Sequence, residues 1–204
     1  MKSLSCALLA LPLALLVGPA ARAQEKMAET PYYPLKIGNT WTYKIGDTHF
    51  TMKVVKFEEV ESEGKKQTCA RVEMSGSDGK VQAVEHVAVK DDGVYRYMFE
   101  NKKAEPPVRF LKLPPKKDDT WDVNSKIGAE KLSGSFKIGE EAEVKVPAGT
   151  YKDVITSGSD NLDANGQKIS FKYYFAKDVG MIKQTIKIQT QEVVIELEKF
   201  DAGK

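Results

Sequence analysis

The chain has 204 residues and a formal net charge of +2 at pH 7, with basic and acidic residues scattered along it. There is no basic stripe to neutralise a phosphate backbone, so nucleic acid is excluded as an expected partner. The length covers one domain with a substantial core, or two closely packed halves.

The first element is residues 1–23. Lys2 precedes an apolar run from Leu4 to Val17, followed by Gly18-Pro19 and Ala21-Arg22-Ala23. This pattern is a secretory signal with its cleavage site after Ala23. The run is short for a membrane span, and Pro12 interrupts it. Cys6 precedes most of the run and does not read as a lipid-attachment cysteine. Cleavage would remove Lys2 and Arg22 and no acid. The 31 basic residues then fall by two to 29, equal to the 29 acids, so the exported chain is close to neutral. The expected location is secreted or periplasmic. Cys69 would be the remaining cysteine, so no internal disulfide is expected. It reads as a buried strand residue.

Residues 24–34 read as a flexible polar lead, and 35–204 as one β domain. From there the hydrophobic period is two. Leu132, Phe136 and Ile138 alternate with lysines and serines. Ile169, Phe171, Tyr173 and Phe175 alternate with Lys168, Ser170, Lys172 and Tyr174. Ile182, Ile186 and Ile188 alternate with Lys183, Thr185 and Lys187. Each is a strand with one buried and one wet face. Turn signals such as Ser77-Asp78-Gly79, Asp91-Asp92-Gly93 and Asn165-Gly166 separate them at short intervals. Pro106-Pro107 and Pro114-Pro115 mark a connector or an edge strand, because proline cannot donate to a ladder.

Several short motifs recur in order. Thr40-Trp41 returns as Thr120-Trp121, Ser75-Gly-Ser-Asp78 as Ser157-Gly-Ser-Asp160, and Lys90-Asp91-x-Gly93 as Lys177-Asp178-x-Gly180. The expected fold is therefore all-β: a curved antiparallel sheet or half-barrel built from two similar β-meanders, 35–112 and 113–200. On this reading the repeated Ser-Gly-Ser-Asp marks equivalent corners of the two halves.

Pro34 to Tyr43 (PLKIGNTWTY), Val146 to Tyr151 (VPAGTY) and Tyr173 to Lys183 (YYFAKDVGMIK) carry a resemblance. The chain resembles a broad group of bacterial secreted β-rich proteins with a Pro-Leu-x-x-Gly-Asn-x-Trp start and a Val-Pro-Ala-Gly-Thr-Tyr motif. Phe175 is an insertion within that group's Tyr-Tyr-Ala pattern. The resemblance implies an extracytoplasmic curved sheet similar to lipoprotein-carrier folds. It implies no activity, and a fold alone licenses none.

Catalytic and metal chemistry find little support. His49, His86 and Cys69 lack zinc spacing, so no metal and no cofactor is expected. Asn161-x-Asp163-x-Asn165-Gly166 resembles the start of a calcium loop, but Lys172 stands where the bidentate glutamate belongs. There is no Gly-x-Ser-x-Gly elbow, and His86 reads as a packed histidine. The remaining signal is aromatic density. Trp41, Tyr95, Tyr97, Trp121, Tyr173 and Phe175 are the candidate ligand-binding residues, with the hydrophobic core as their alternative role. The expected function is a non-enzymatic envelope protein that binds a lipid, another apolar ligand or a lipidated client in a curved β cavity. The alternative is an interaction module that offers a sheet edge to an envelope protein partner. A hydrolase ranks last.

Overall fold

The computed structural model describes residues 28–203, so the expected signal segment lies outside the described residues. Twelve strands follow one another: β1 (Thr40–Ile45), β2 (Thr48–Ser62), β3 (Lys65–Gly76), β4 (Val81–Lys90), β5 (Gly93–Phe99), β6 (Lys102–Lys112), β7 (Thr120–Ile127), β8 (Glu130–Val146), β9 (Gly149–Ala164), β10 (Gln167–Ala176), β11 (Gly180–Ile188) and β12 (Gln191–Asp201). There is no helix among the described residues. The turns form where the sequence marks them. Asn165 and Gly166 both have positive φ, 53° and 83°, as a two-residue hairpin turn requires.

Each strand pairs antiparallel with the next, and β12 returns to β1 with Thr40 opposite Asp201 and Trp41 opposite Phe200. The sheet is thus a closed barrel, which corrects the expected half-barrel. Alternation and turn chemistry specify neighbouring strands. The pairing of the first strand with the last has no local signature. Closure removes the free edges that an open sheet would leave.

Six strands precede the connector at 113–119 and six follow it. Thr40-Trp41 and Thr120-Trp121 open β1 and β7, and the two Lys-Asp-x-Gly turns join β4 to β5 and β10 to β11. The Ser-Gly-Ser-Asp copies are not equivalent corners. Ser75 and Gly76 end β3, whereas Ser157–Asp160 lies inside β9. In the second copy the glycine answers to close approach: a Cβ on Gly158 would collide with the Phe171 carbonyl oxygen and the backbone of Lys172.

One end of the barrel carries the N-terminal segment, the 113–119 connector and the β10–β11 turn. Residues 28–34, expected as a flexible lead, pack into this end. Thr30, Tyr33 and Leu35 are buried. The Asp178 N–H donates to Pro31 O (2.7 Å) and the Gly38 N–H to Val54 O (2.8 Å). Tyr33 stands within 6.3 Å of the rings of Trp41, Phe110 and Phe175. Short range and polarity hid this role, because one aromatic in a polar stretch has no periodicity to read. The β8–β9 hairpin also extends beyond its neighbours, and its tip crosses to β12, where the Ala148 N–H donates to Leu197 O (2.9 Å).

The wall is thinnest between β6 and β7. Their ladder has two pairs, Ala104 with Ile127 and Glu105 with Lys126. It stops where Pro106 and Pro107 remove two N–H donors. Beyond that point side chains bridge the strands. Ser125 Oγ donates to Pro106 O (2.7 Å) and Trp121 Nε1 to Arg109 O (2.9 Å). The double proline is thus part of a strand, but it lies where the β5–β6 register jumps from Arg96–Val108 to Met98–Lys103, so neither proline is a ladder partner of β5.

Candidate functional site

Ladder partners share a face, so register assigns every strand's inner surface. Ile169, Phe171, Tyr173 and Phe175 point inward, as do Ile186 and Val193, which face Phe171 across the β10–β11–β12 ladders. Lys172, Lys183 and Lys187 point outward. This charged exterior is the reverse of the apolar outer band of a membrane barrel. The sequence alternation therefore identified the inner face correctly on these strands.

The two ends of the interior differ. Towards the N-terminal segment the inward residues Trp41, Val54, Val94, Phe175 and Ile182 are all buried in one continuous core. Towards the β1–β2 and β11–β12 turns, Phe50, Met74, Ile169, Phe171, Ile186 and Ile195 are only half-buried, and Val193 is 40% exposed. The barrel is therefore capped at one end, and at the other it leaves apolar inner wall in contact with water.

A polar network lies between these zones. Arg96 Nε donates to Glu85 Oε2 (2.9 Å), Tyr33 Oη to Glu85 Oε1 (3.4 Å), and Arg96 Nη2 to Tyr173 Oη (3.4 Å). The Glu85 side chain is 2% exposed and that of Arg96 is 23% exposed, so the carboxylate is sealed and most of the arginine is buried beside it. Arg96 also stacks over Phe110 at 5.5 Å. Burial, followed by the nearby Glu85 carboxylate, pushes the Tyr33 phenol well above its ordinary range, and burial also raises Tyr173. Both phenols stay protonated and serve as hydrogen-bonding groups, not as bases. Glu85, Arg96 and Tyr33 were absent from the candidate residues. A signal existed for Glu85: it interrupts the apolar run Val81–Val89 at an inward position, opposite Val72. A charge in the buried phase of a strand has to be paired.

The six predicted ligand residues separate into three places. Trp41, Trp121, Tyr173 and Phe175 lie in the main core. Trp41 donates from Nε1 to Val179 O (2.6 Å) and stacks on Phe200 at 5.4 Å. Tyr173 belongs to the polar network and Phe175 packs beneath it at 5.6 Å. Tyr97 sits in a second cluster with Val60, Cys69 and Ala88. Tyr95 and Trp121 meet at the β6–β7 seam, in a cleft of about 340 Å³ that also contains Asp92, Pro107, Arg109 and Asp122. There Asp92 Oδ2 accepts from Tyr95 Oη (2.7 Å) and Arg109 Nη1 (2.9 Å), and the guanidinium stacks over both Tyr95 and Trp121.

The residues with nucleophilic or basic chemistry are structurally engaged. Burial pushes the Cys69 thiol up to about 12. A thiol-selective reagent at pH 8 is therefore expected to leave Cys69 unmodified in the folded protein and to label it fully in denaturant. Rapid labelling of the folded chain would contradict this. His86 is buried, with Nε2 against Glu58 Oε1 at 2.5 Å. Hydrogen bonds from Lys56, first, and from His86 hold the Glu58 carboxyl down to about 2. Because the folded value lies below the usual carboxylate value, the stabilisation is fully present above about pH 4.5 and is lost as pH falls towards 2. In acid titrations Glu58→Gln is expected to shallow the loss of stability over that window, and equal slopes in the two proteins would refute the linkage. In the former calcium candidate, Asp163 accepts the Gly166 N–H (2.7 Å) and pairs with Lys168 (3.2 Å), the bonding of a hairpin turn. No group of three metal-ligating residues occurs among the described residues.

No protein-family model matches the chain, and no curated protein matches it. Two solved structures are similar. One is a protein from Bacteroides fragilis described as exported and as having a YmcC-like fold, with a TM-score of 0.53 and 12% identity over 85% of this chain and 100% of that one. The other is a protein from Parabacteroides distasonis described as a lipoprotein, with a TM-score of 0.51 and 11% identity over the same shares. At such identities the likeness concerns architecture alone: the closed antiparallel barrel of this chain is similar to the fold described for the Bacteroides fragilis protein.

Proposed function

We propose that this chain is an exported, non-enzymatic protein of the cell envelope that holds an apolar chain in the open end of its barrel. The observation that carries the reading is the half-buried apolar inner wall formed by Phe50, Phe171, Ile186 and Ile195. Apolar surface inside a concave wall is the ordinary setting for a hydrophobic ligand. Burying it contributes roughly 25 cal/mol per Å². Arg96, whose side chain is partly exposed, offers hydrogen bonds to a polar head group. A free fatty acyl chain and the acyl chain of a lipid-modified client share this chemistry.

The signal-like N-terminus and the two fold neighbours, one described as exported and one as a lipoprotein, support the location. The protonated Cys69 thiol and the engagement of His86 with Glu58 support a non-catalytic role.

The test uses the mature protein and N-phenyl-1-naphthylamine, a dye that fluoresces in apolar surroundings. Binding is expected, with displacement by a long-chain fatty acid. Ile186→Asp is expected to weaken binding by about tenfold or more, since a carboxylate would replace buried apolar wall. A wild-type protein that leaves the dye dark, and whose organic extract contains no lipid, would refute the proposal.

A further inference from the structure

Given the apolar-chain reading above, on which this inference rests, the wall also fixes which end of the chain enters first. Along the inner face of β10, Ile169 and Phe171 precede Tyr173, and Phe175 follows it. The Tyr173 ring lies 4.6 Å from that of Phe171 and 5.6 Å from that of Phe175, so it stands at the boundary between the open end and the sealed core. Arg96 meets Tyr173 at that level, with its guanidinium 5.5 Å from the rings of both half-buried Phe99 and buried Phe110. The mouth has the opposite character. Ile45 shares the inward phase of Trp41 and Tyr43, Val193 faces Ile186, and both are exposed. The open end thus runs from an apolar mouth to a polar floor. From Gln167 to Tyr173 this is about 20 Å along the strand at the usual rise.

The floor has donors to offer. A guanidinium carries five N–H groups. Arg96 gives one at Nε to Glu85 and one at Nη2 to Tyr173. Sealed side-chain atoms without a partner do occur among the described residues, at Ser62 Oγ and His86 Nδ1, but no nitrogen of Arg96 is among them. Its spare donors therefore lie on the part of the side chain that stays accessible. Register holds that side chain on the inner face, paired with Val87 on one side and Val108 on the other. Sealed Glu85 balances its charge.

We propose that the barrel takes its ligand head first: a free single-chain amphiphile whose small acceptor head, such as the carboxyl of a fatty acid, accepts hydrogen bonds from Arg96 while its tail lies along Phe171, Ile186 and Ile195 and ends at the mouth. A chain entering tail first would press hydrocarbon onto these donors and strip their hydration without replacing it. It would also leave its head among Ile45 and Val193. Of the two acyl sources that share the apolar chemistry, this arrangement selects the free one. A lipid-modified client is tethered through the head of its acyl group, and a polypeptide cannot follow that head to the floor.

The probes are two stearic acids, one with a nitroxide near the carboxyl and one with it near the methyl end. The readout is the electron paramagnetic resonance spectrum of each with the mature protein, before and after adding chromium oxalate, a water-soluble broadening agent. Both probes are expected to be immobilised. The nitroxide near the carboxyl should resist broadening, and the one near the methyl end should be broadened. An acylated hydrophilic peptide, amide-linked through its palmitoyl head, is expected to displace either probe at least about tenfold more weakly than palmitic acid. The double variant Glu85→Leu/Arg96→Met makes the floor apolar without orphaning a charge and is expected to erase the difference between the two nitroxides. Should that variant fail to fold, the wild-type spectra decide. Reversed or equal broadening in the wild type, equal displacement by the acylated peptide, or an undiminished difference in the folded double variant would overturn head-first binding and leave the apolar-chain reading standing. If neither nitroxide is immobilised, that reading falls and head-first binding falls with it.

Discussion

Arg96→Met is expected to destabilise the barrel by about 3–5 kcal/mol, measured by urea or guanidinium denaturation. The substitution keeps most of the side chain's apolar length and removes its charge. Glu85 is then left as a carboxylate with 2% of its side chain exposed, with the Tyr33 hydroxyl still donating to it at 3.4 Å. An uncompensated buried charge is the costly product of breaking such a pair. The reciprocal change should be milder. Glu85→Gln leaves a neutral amide that can still bond to Tyr33 and Arg96, and the arginine keeps its contact with the Tyr173 hydroxyl. About 1–2 kcal/mol is expected, near the value of one charge-assisted hydrogen bond. The double variant Glu85→Leu/Arg96→Met should cost much less than the sum of the two single losses, since it leaves no orphaned charge. Additive losses, or a larger loss for Glu85→Gln than for Arg96→Met, would refute this account of the network.

Trp41→Ala is expected to cost a similar amount, about 3–5 kcal/mol, for a different reason. The indole is 3% exposed, fills the space between Tyr33 and Phe200, and satisfies the Val179 carbonyl at 2.6 Å. Truncation removes the apolar burial, opens a cavity and orphans that carbonyl. Trp41→Phe should recover the packing and leave only the carbonyl unpaired, at roughly 1–3 kcal/mol. Had Trp41 served chiefly as a ligand-stacking surface, its truncation would spare stability and abolish dye binding. The order Ala, then Phe, then wild type in midpoint of unfolding distinguishes the two roles.

The residues legible in the sequence are those whose role is periodic. Phe171 and Tyr173 declare their face by alternating with Lys172 and Tyr174, and the structure keeps that phase through to Val193 on β12. Asn165-Gly166 declares a hairpin because its backbone needs two positive φ values. What was not legible is non-local. Tyr33 is one aromatic in a polar lead, and only the assembled barrel shows that it closes the interior. Ser157 and Gly158 have turn composition but lie in strand, because a ladder on both sides outweighs local preference. Tyr95 and Trp121 lie far apart in sequence and meet because β5, β6 and β7 are neighbours. Glu85 was legible in principle, as a charge in a buried phase, but its partner Arg96 lies on the next strand beyond a register shift between His86 and Val87, which simple counting does not cross.

The pairing of β1 with β12 also bears on how the molecule is made. A chain that emerges N-terminus first can zip β1 through β11 as successive hairpins, each close in sequence and fast to form. It cannot seal the cylinder until its last strand, the eleven residues Gln191–Asp201, arrives. Until then β1 and β11 both present raw edges, and the greasy interior is an open trough. Such a species invites pairing with its own copies. A protein of this design is therefore most exposed to self-association before its two furthest strands meet.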